Sequence, residues 1–489
     1  MIFKKIKKLI FHPVQFIADS YWFKTPPFSN FPNDTNLFVV STFAQLNQVH
    51  SFIKFRKLNN NIIVILYTLK NLKMPRLVKS SVDHKLFDTI YLYELPVKPS
   101  KLSLKYFVYI SRGYRRLLND INPKNIFVMS FSGHYALLLA IAKKKKTTTH
   151  LIEEGTATYA PLLDSFTPNI SKIERFFLKN HLNNKGYYNN FDHLHVTYPE
   201  LARNIFTGRQ ISRFFAHAAG MSMTKDVLDI QHAYRIGTQD YIYVSQRFPV
   251  QDDLYYHIII DILSNLSLQL NCTIFIKLHP KEMENKDIMQ VFLDKSESNP
   301  NLIVINTPPF LIDPLIYLTQ PKGIIGITST SLVYASLLNP NIQTISIAAI
   351  VLDILRNQYN QNCPMMEEHL EIIKYFSSVH IIPNMDALTN YQSPKVSAIE
   401  MQSLLASAKK AYQQKNWYHA IFYWQLGTKG DIKQLDTTAL WYYMALYKVK
   451  QYYKMDSNEI EYIDSSFHLF NEKDKLYWND IKIYFEQSF

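Results

Sequence analysis

The chain runs to 489 residues, 47% of them hydrophobic and 14% aromatic, and carries a formal net charge of +13. That length exceeds a single core and predicts two or three domains, while the apolar content excludes a disordered polymer. Two cysteines, Cys272 and Cys363, cannot build a disulfide framework or a four-ligand zinc site, so a reducing compartment is expected.

The N-terminal segment, residues 1–20, begins MIFKKIKKLIFHP. Phe3, Ile6 and Ile10 recur at helical spacing with Lys4, Lys5, Lys7 and Lys8 between them, the pattern of a basic amphipathic helix on an anionic membrane surface. An ordinary solvated surface helix has the same pattern. Its charges interrupt any apolar block, so it is not a secretory signal. The longest apolar run, YALLLAIA (135–142), falls far short of the roughly 18 residues of a membrane span. The positive charge suits anionic lipids or anionic substrates. Nucleic acid is excluded as a partner because no zinc-finger spacing, helix-turn-helix signal or basic-aromatic ribbon accompanies that charge.

Residues 21–235 read as a doubly wound α/β domain. Its predicted strands are LFVVS (37–41), NIIVILY (61–67), DTIYLYE (88–94), NIFVMSF (125–131) and THLIE (149–153), with helices near 43–57, 101–119 and 133–144. The KKKK run (143–146) reads as the solvated end of the last of these helices, beside its C-terminal dipole. A second set fills residues 236–395: DYIYVSQ (240–246), a helix near 251–268, CTIFIKL (272–278), NLIVIN (301–306), GIIGI (323–327), IQTISI (342–347) and VHIIP (379–383). Two successive Rossmann-like domains facing a cleft describe the GT-B architecture, with ligands expected at the carboxyl ends of the strands.

Residues 396–489 lose the strand signal. Leu404, Leu405, Ala408 and Tyr412 lie on one helical stripe and Trp417, Ala420, Ile421 and Trp424 on the next, resembling one tetratricopeptide-like helix pair followed by more helix. A lone pair is too short for a free solenoid, so this all-α extension is expected to dock on the other domains, either as a cap or as a surface for a protein partner.

Three constellations follow predicted strands. The first is Glu153-Glu154-Gly155. Strand geometry sends the two carboxylates to opposite faces, so one can enter the cleft as a general base while the other braces the loop. Gly155 is expected to turn sharply and leave room for a sugar. The second is FIKLHPKE (275–282), where His279-Pro280 ends a strand and Lys277 and Lys281 add positive potential. The dipeptide alone is weak evidence, since His12-Pro13 is a second copy with no strand before it. The third is GIIGITSTSLVYASLL (323–338), in which Thr328, Ser329, Thr330 and Ser331 stand at a helix start, the chemistry of an anion site. Weaker candidates are Thr42 and Gln45 in STFAQL (41–46), His134 in SGHY (132–135), and Gln246 in VSQRFP (244–249). Local capping is the ordinary explanation of the first two, while VSQRFP opens the second domain's first loop, where donor nucleotides commonly sit.

In this order, Glu153-Glu154-Gly155, His279-Pro280 and Ser329-Thr330 resemble the motifs of bacterial sialyltransferases of GT-B type. The closest likeness is to the capsular polysialyltransferases and lipooligosaccharide sialyltransferases, to which VVSTFAQLN (39–47) and the basic N-terminus are also similar. The resemblance covers about residues 35–390, leaving the C-terminal helices unmatched.

It implies an inverting, metal-independent transfer of sialic acid from CMP-sialic acid to a glycan acceptor, which can be polyanionic, with no resident cofactor. Such an enzyme would sit on the cytoplasmic face of a bacterial inner membrane. Glu153 would be the base, with Glu154 as the fallback. His279 would assist departure of CMP, and Pro280, Ser329, Thr330, Ser331 and Gln246 would line the donor side. Thr42, Gln45, His134 and Gly155 would line the acceptor side. The run Thr-Ser-Thr-Ser leaves the third motif's alignment open by one residue. Transfer from another CMP- or CDP-linked donor, such as Kdo or glycerol phosphate, remains open, as does a non-catalytic scaffold of a polysaccharide-assembly complex.

Overall fold

The computed structural model describes residues 34–389, apart from 69–72, 97–103, 167–171, 209, 217–224, 309, 340 and 377. It also describes scattered positions between 402 and 424, and residues 439–449 and 472–486. The basic N-terminal segment, Leu404, Trp417 and Ile421 lie outside the described residues.

Short β-branched runs become parallel strands because helices cover both faces of each sheet, so the central strands are near-continuous apolar runs rather than alternating. In the first sheet these are β1 (Asn36–Val40), β2 (Asn61–Tyr67), β3 (Thr89–Glu94), β4 (Asn125–Val128), β5 (Thr148–Ile152), β6 (His193–Val196) and β7 (Gln210–Arg213). The second holds β8 (Tyr241–Val244), β9 (Ile274–Lys277), β10 (Leu302–Val304), β11 (Gly323–Gly326), β12 (Gln343–Ser346) and β13 (Val379–Ile381). Every residue of β1 and β8 is buried.

The strand orders are β3-β2-β1-β4-β5-β6-β7 and β10-β9-β8-β11-β12-β13, with all pairings parallel. Each sheet therefore runs outward in both directions from its first strand, the doubly wound Rossmann arrangement. Two such units in succession are the GT-B fold expected from the sequence. One contiguous apolar cluster joins Leu37 and Val128 of the first sheet to Ile242 and Ile324 of the second.

All eleven strands read from the sequence are present. Two were missed: β6, HLHV, and β7, QISR, are four residues each and carry too much His, Gln and Arg to read as strand interiors. The helix Lys73–Ser80 was also missed, and it contains Pro75.

Among the C-terminal positions described, Ala408, Ala420 and Trp424 are fully buried, as their shared stripes predict. The Tyr412 ring stacks on Trp441 at 5.4 Å. Two further helices, Ala439–Val449 and Glu472–Glu486, pack on each other through Tyr443 and Trp478. No helix among the described residues is long and apolar enough to cross a membrane.

Candidate active site

The switch point of each sheet, where its strand order reverses direction, lies between β1 and β4 in the first and between β8 and β11 in the second. Loops leaving these strands and their neighbours at the carboxyl ends carry every motif residue singled out in the sequence.

In the first domain, Thr42 caps the helix Phe43–Arg56, its hydroxyl accepting the backbone N–H of Gln45 at 3.2 Å. This cap places Gln45 at the end of β1, 4% exposed. Its amide oxygen accepts from the Ser41 backbone at 2.7 Å and the Ser41 hydroxyl at 3.1 Å. That fixes the amide's orientation, and its nitrogen donates to Glu154 Oε1 at 2.7 Å. His134 follows Gly133, whose φ of 58° is a left-handed conformation that glycine adopts without strain. The His134 ring pairs through Nδ1 with the Tyr114 hydroxyl at 2.9 Å and lies 4.3 Å from the Tyr135 ring.

Leaving β5, the two glutamates diverge as strand geometry requires. Glu154 is exposed, and Glu153 is 2% exposed. Glu153 is locked in place: Oε1 accepts from Tyr334 at 2.5 Å, and Oε2 from Tyr159 at 2.5 Å and the Thr197 backbone at 2.6 Å. Burial pushes its carboxyl above the usual carboxylate range, against the pull of those three donors. The protein around Glu154 also pushes its carboxyl up, and the Gln45 hydrogen bond draws it back.

Gly155 does not have the role expected of it. Its φ of 161° and ψ of −162° are extended backbone that any residue adopts, so no sharp turn requires glycine. The space beside it is taken by protein: a Cβ there would lie 2.6 Å from Thr330 Oγ1. Glycine is needed for close approach of the two domains and not for room to seat a sugar.

In the second domain, His279 follows β9 and caps the short helix Pro280–Met283, with Pro280 at its first position. Its Nδ1 accepts the Lys281 N–H at 3.2 Å, which leaves the hydrogen of a neutral ring on Nε2. Its own N–H donates to the fully buried Glu282 at 2.7 Å, and Tyr256 donates to the same carboxylate at 2.8 Å. Burial lowers the His279 pKa, and Lys277, Lys281 and Arg247 lower it further. Lys277 is pushed down to about 8 by burial, with Asp313 and Glu282 opposing.

In the third motif the hydroxyls of Thr328, Ser329 and Thr330 are already engaged. Thr328 donates its N–H to Gln246 Oε1 at 2.6 Å, tying the β8 and β11 loops together. Ser329 caps the helix Thr330–Leu338, accepting from the Ser331 N–H at 3.3 Å. Thr330 Oγ1 accepts the Thr156 N–H at 3.1 Å and sits 3.1 Å from the Thr156 hydroxyl. It thus bridges the domains. The nine-residue helix behind Ser329 still directs its N-terminal amides to the carboxyl edge of the sheet.

Sequence reasoning missed Tyr159, Thr197, Tyr334 and Glu282. The one available signal was spacing: Tyr334 follows Thr330 by four residues on the same helix, and Glu282 follows His279 by three, a capping-box distance.

An alpha-2,8-polysialyltransferase family model matches residues 36–348 of the chain. No curated protein matches its sequence. Among solved structures, it is similar to the UDP-GlcNAc 2-epimerase of Neisseria meningitidis bound to UDP-GlcNAc. Identity is 13% and the TM-score 0.46, over 81% of this chain and 98% of that one. It is also similar to MurG of Acinetobacter baumannii, at 10% identity and a TM-score of 0.41 over 73% and 89%. The two-domain fold stands on the strand orders themselves.

Proposed function

The chain belongs to the alpha-2,8-polysialyltransferase family and is a glycosyltransferase of sialic acid, and from that premise we propose that it moves sialic acid, with inversion and without a metal, from CMP-sialic acid to a sialylated glycan. Capsule or lipooligosaccharide synthesis is the setting that fits such an acceptor.

The observation that carries the mechanism is the split between the glutamates. Glu154 is exposed beyond the end of β5 with its carboxylate held by Gln45, whereas Glu153 is buried with both oxygens engaged. Glu154 is therefore the base, and the order of preference implied by family resemblance, with Glu153 first, is reversed. Glu154 takes the proton of the acceptor hydroxyl as that oxygen attacks the anomeric carbon from the face opposite the leaving group. The bond from that carbon to the phosphate oxygen of CMP breaks as the new glycosidic bond forms, so configuration inverts. The departing phosphate gains charge, which the Nε2–H of His279 and the backbone amides at Ser329 and Thr330, at the positive end of the helix dipole, stabilise. Those groups supply for a single phosphate what a cation supplies for a diphosphate.

The test is CMP release from CMP-sialic acid by the purified protein, with and without EDTA, across a panel of sialylated and galactose-terminated acceptors. Glu154→Gln should lose about a thousandfold or more in turnover. Glu153→Gln should lose less, on the order of ten- to a hundredfold, through misplacement of its neighbour. The opposite ranking returns the base to Glu153, and turnover of a different CMP- or CDP-linked donor overturns the sugar assignment. The basic residues 1–20 hold the enzyme at the cytoplasmic face of the inner membrane; cosedimentation with anionic vesicles that survives their deletion would remove this part.

A further inference from the structure

We infer that Tyr334 is a positioning residue that couples the base-bearing loop to the helix expected to receive the donor phosphate; this rests on Glu154 being the base. Tyr334 lies one turn beyond Thr330 on the helix Thr330–Leu338, so both side chains share a face. Both reach across to the acceptor domain. Thr330 meets Thr156 at 3.1 Å, and the Tyr334 hydroxyl donates to Glu153 at 2.5 Å. Glu153 and Thr156 bracket Glu154 and Gly155, so the loop is clamped at two points by the helix whose N-terminal amides face the departing phosphate.

The Glu153 carboxylate divides its bonds between the domains. Oε2 is satisfied from within the acceptor domain by Tyr159 and the Thr197 N–H, while Oε1 accepts from Tyr334, 181 residues away in the chain. Phe215 packs edge-on against the Tyr334 ring at 5.4 Å, which holds the phenol at the seam. Tyr159 and Tyr334 therefore form a matched pair: each supplies one phenolic donor to the same buried carboxylate, and only the Tyr334 hydrogen bond crosses the seam, although the Tyr159 ring also meets Phe376 edge-on at 5.8 Å.

The experiment compares Tyr334→Phe with Tyr159→Phe, measuring transfer to acceptor, hydrolysis of CMP-sialic acid by water, CMP affinity and melting temperature. Tyr334→Phe should lower transfer about tenfold or more while hydrolysis and CMP affinity hold, so the ratio of transfer to hydrolysis falls. Tyr159→Phe should lower the melting temperature and leave that ratio in place. A ratio that is unchanged in Tyr334→Phe, or that falls equally in both, overturns the inference. Where Tyr334→Phe is too unstable to assay, Glu153→Gln reads the same ratio, and an unchanged value there has the same consequence. A wild-type protein that never releases CMP removes the underlying reading instead, and is distinguished by that fact.

Discussion

Gly155 and Thr330 touch so closely across the two domains that a methyl group on Gly155 would stand 2.6 Å from the threonine hydroxyl and 3.1 Å from its methyl. The backbone at Gly155 is extended, so the constraint is contact and not conformation. Gly155→Ala should therefore lower turnover about tenfold or more by prising the Glu154 loop away from the phosphate helix. Adding Thr330→Ala removes the obstructing oxygen and methyl and should restore part of the activity, even though Thr330→Ala alone is harmful. Strict additivity in that double-mutant cycle would rule the contact out as the reason for glycine.

Gln45 makes a second prediction, about pH. Its amide is the hydrogen-bond partner that draws the Glu154 carboxyl down against the upward push of its surroundings. A base works only when ionised, so kcat/KM rises with pH through the Glu154 pKa. Gln45→Ala removes the stabilising donor, raises that pKa, and should move the rising limb to higher pH while lowering the plateau. A pH profile for Gln45→Ala superimposable on wild type would show that Glu154 is not the titrating base.

Much of this was legible in the sequence, because parallel strands are short β-branched runs and the reactive groups follow them. The loops after β1, β5, β9 and β11 are marked in the sequence by the polar residues that end each apolar run. What was not legible is the pairing: Gln45 meets Glu154 across 109 residues, and Tyr334 meets Glu153 across 181. No local rule encodes such contacts. The two glutamates show the same limit. Their divergence follows from strand period, but which one faces the cleft depends on Tyr159 and Thr197, residues that carry no sequence signal of their own.

Glu282 supports His279 as Gln45 supports Glu154. It is fully buried and accepts from both the His279 backbone at 2.7 Å and the Tyr256 hydroxyl at 2.8 Å. Glu282→Gln keeps the shape but removes the charge: its oxygen can still accept the His279 N–H while its NH2 must donate to the Tyr256 hydroxyl, so two charge-assisted hydrogen bonds become weaker neutral ones. The expected outcome is a lower melting temperature together with reduced turnover, since the cap that fixes the imidazole is loosened. Unchanged turnover at a lowered melting temperature would confine Glu282 to a structural role.

The last prediction concerns stability and lies away from the cleft. His150 on β5 and His195 on β6 are 9% and 8% exposed, paired to each other at 3.1 Å, and held by Asn125 at 3.3 Å and Ser212 at 2.7 Å. Burial pushes His150 down to about 3 and His195 down to about 2, each reinforced by neighbouring histidines and Arg56, with Asp192 opposing at His150. Both are neutral in the fold, whereas in the unfolded chain they gain a proton near pH 6.5. A group whose folded pKa is depressed in this way leaves stability flat above pH 6.5 and erodes it below, because the unfolded state binds more protons. Each histidine contributes a slope approaching about 1.4 kcal/mol per pH unit once pH is well under 6.5. The melting temperature should therefore hold between pH 7 and 8 and fall steeply from pH 6 to 5. Replacing both by glutamine, which keeps a polar side chain but does not titrate, should flatten that fall even where it lowers stability at pH 7.5. An equally steep fall in the double variant would assign the acid sensitivity to other groups, His50 first, whose pKa burial lowers to about 4.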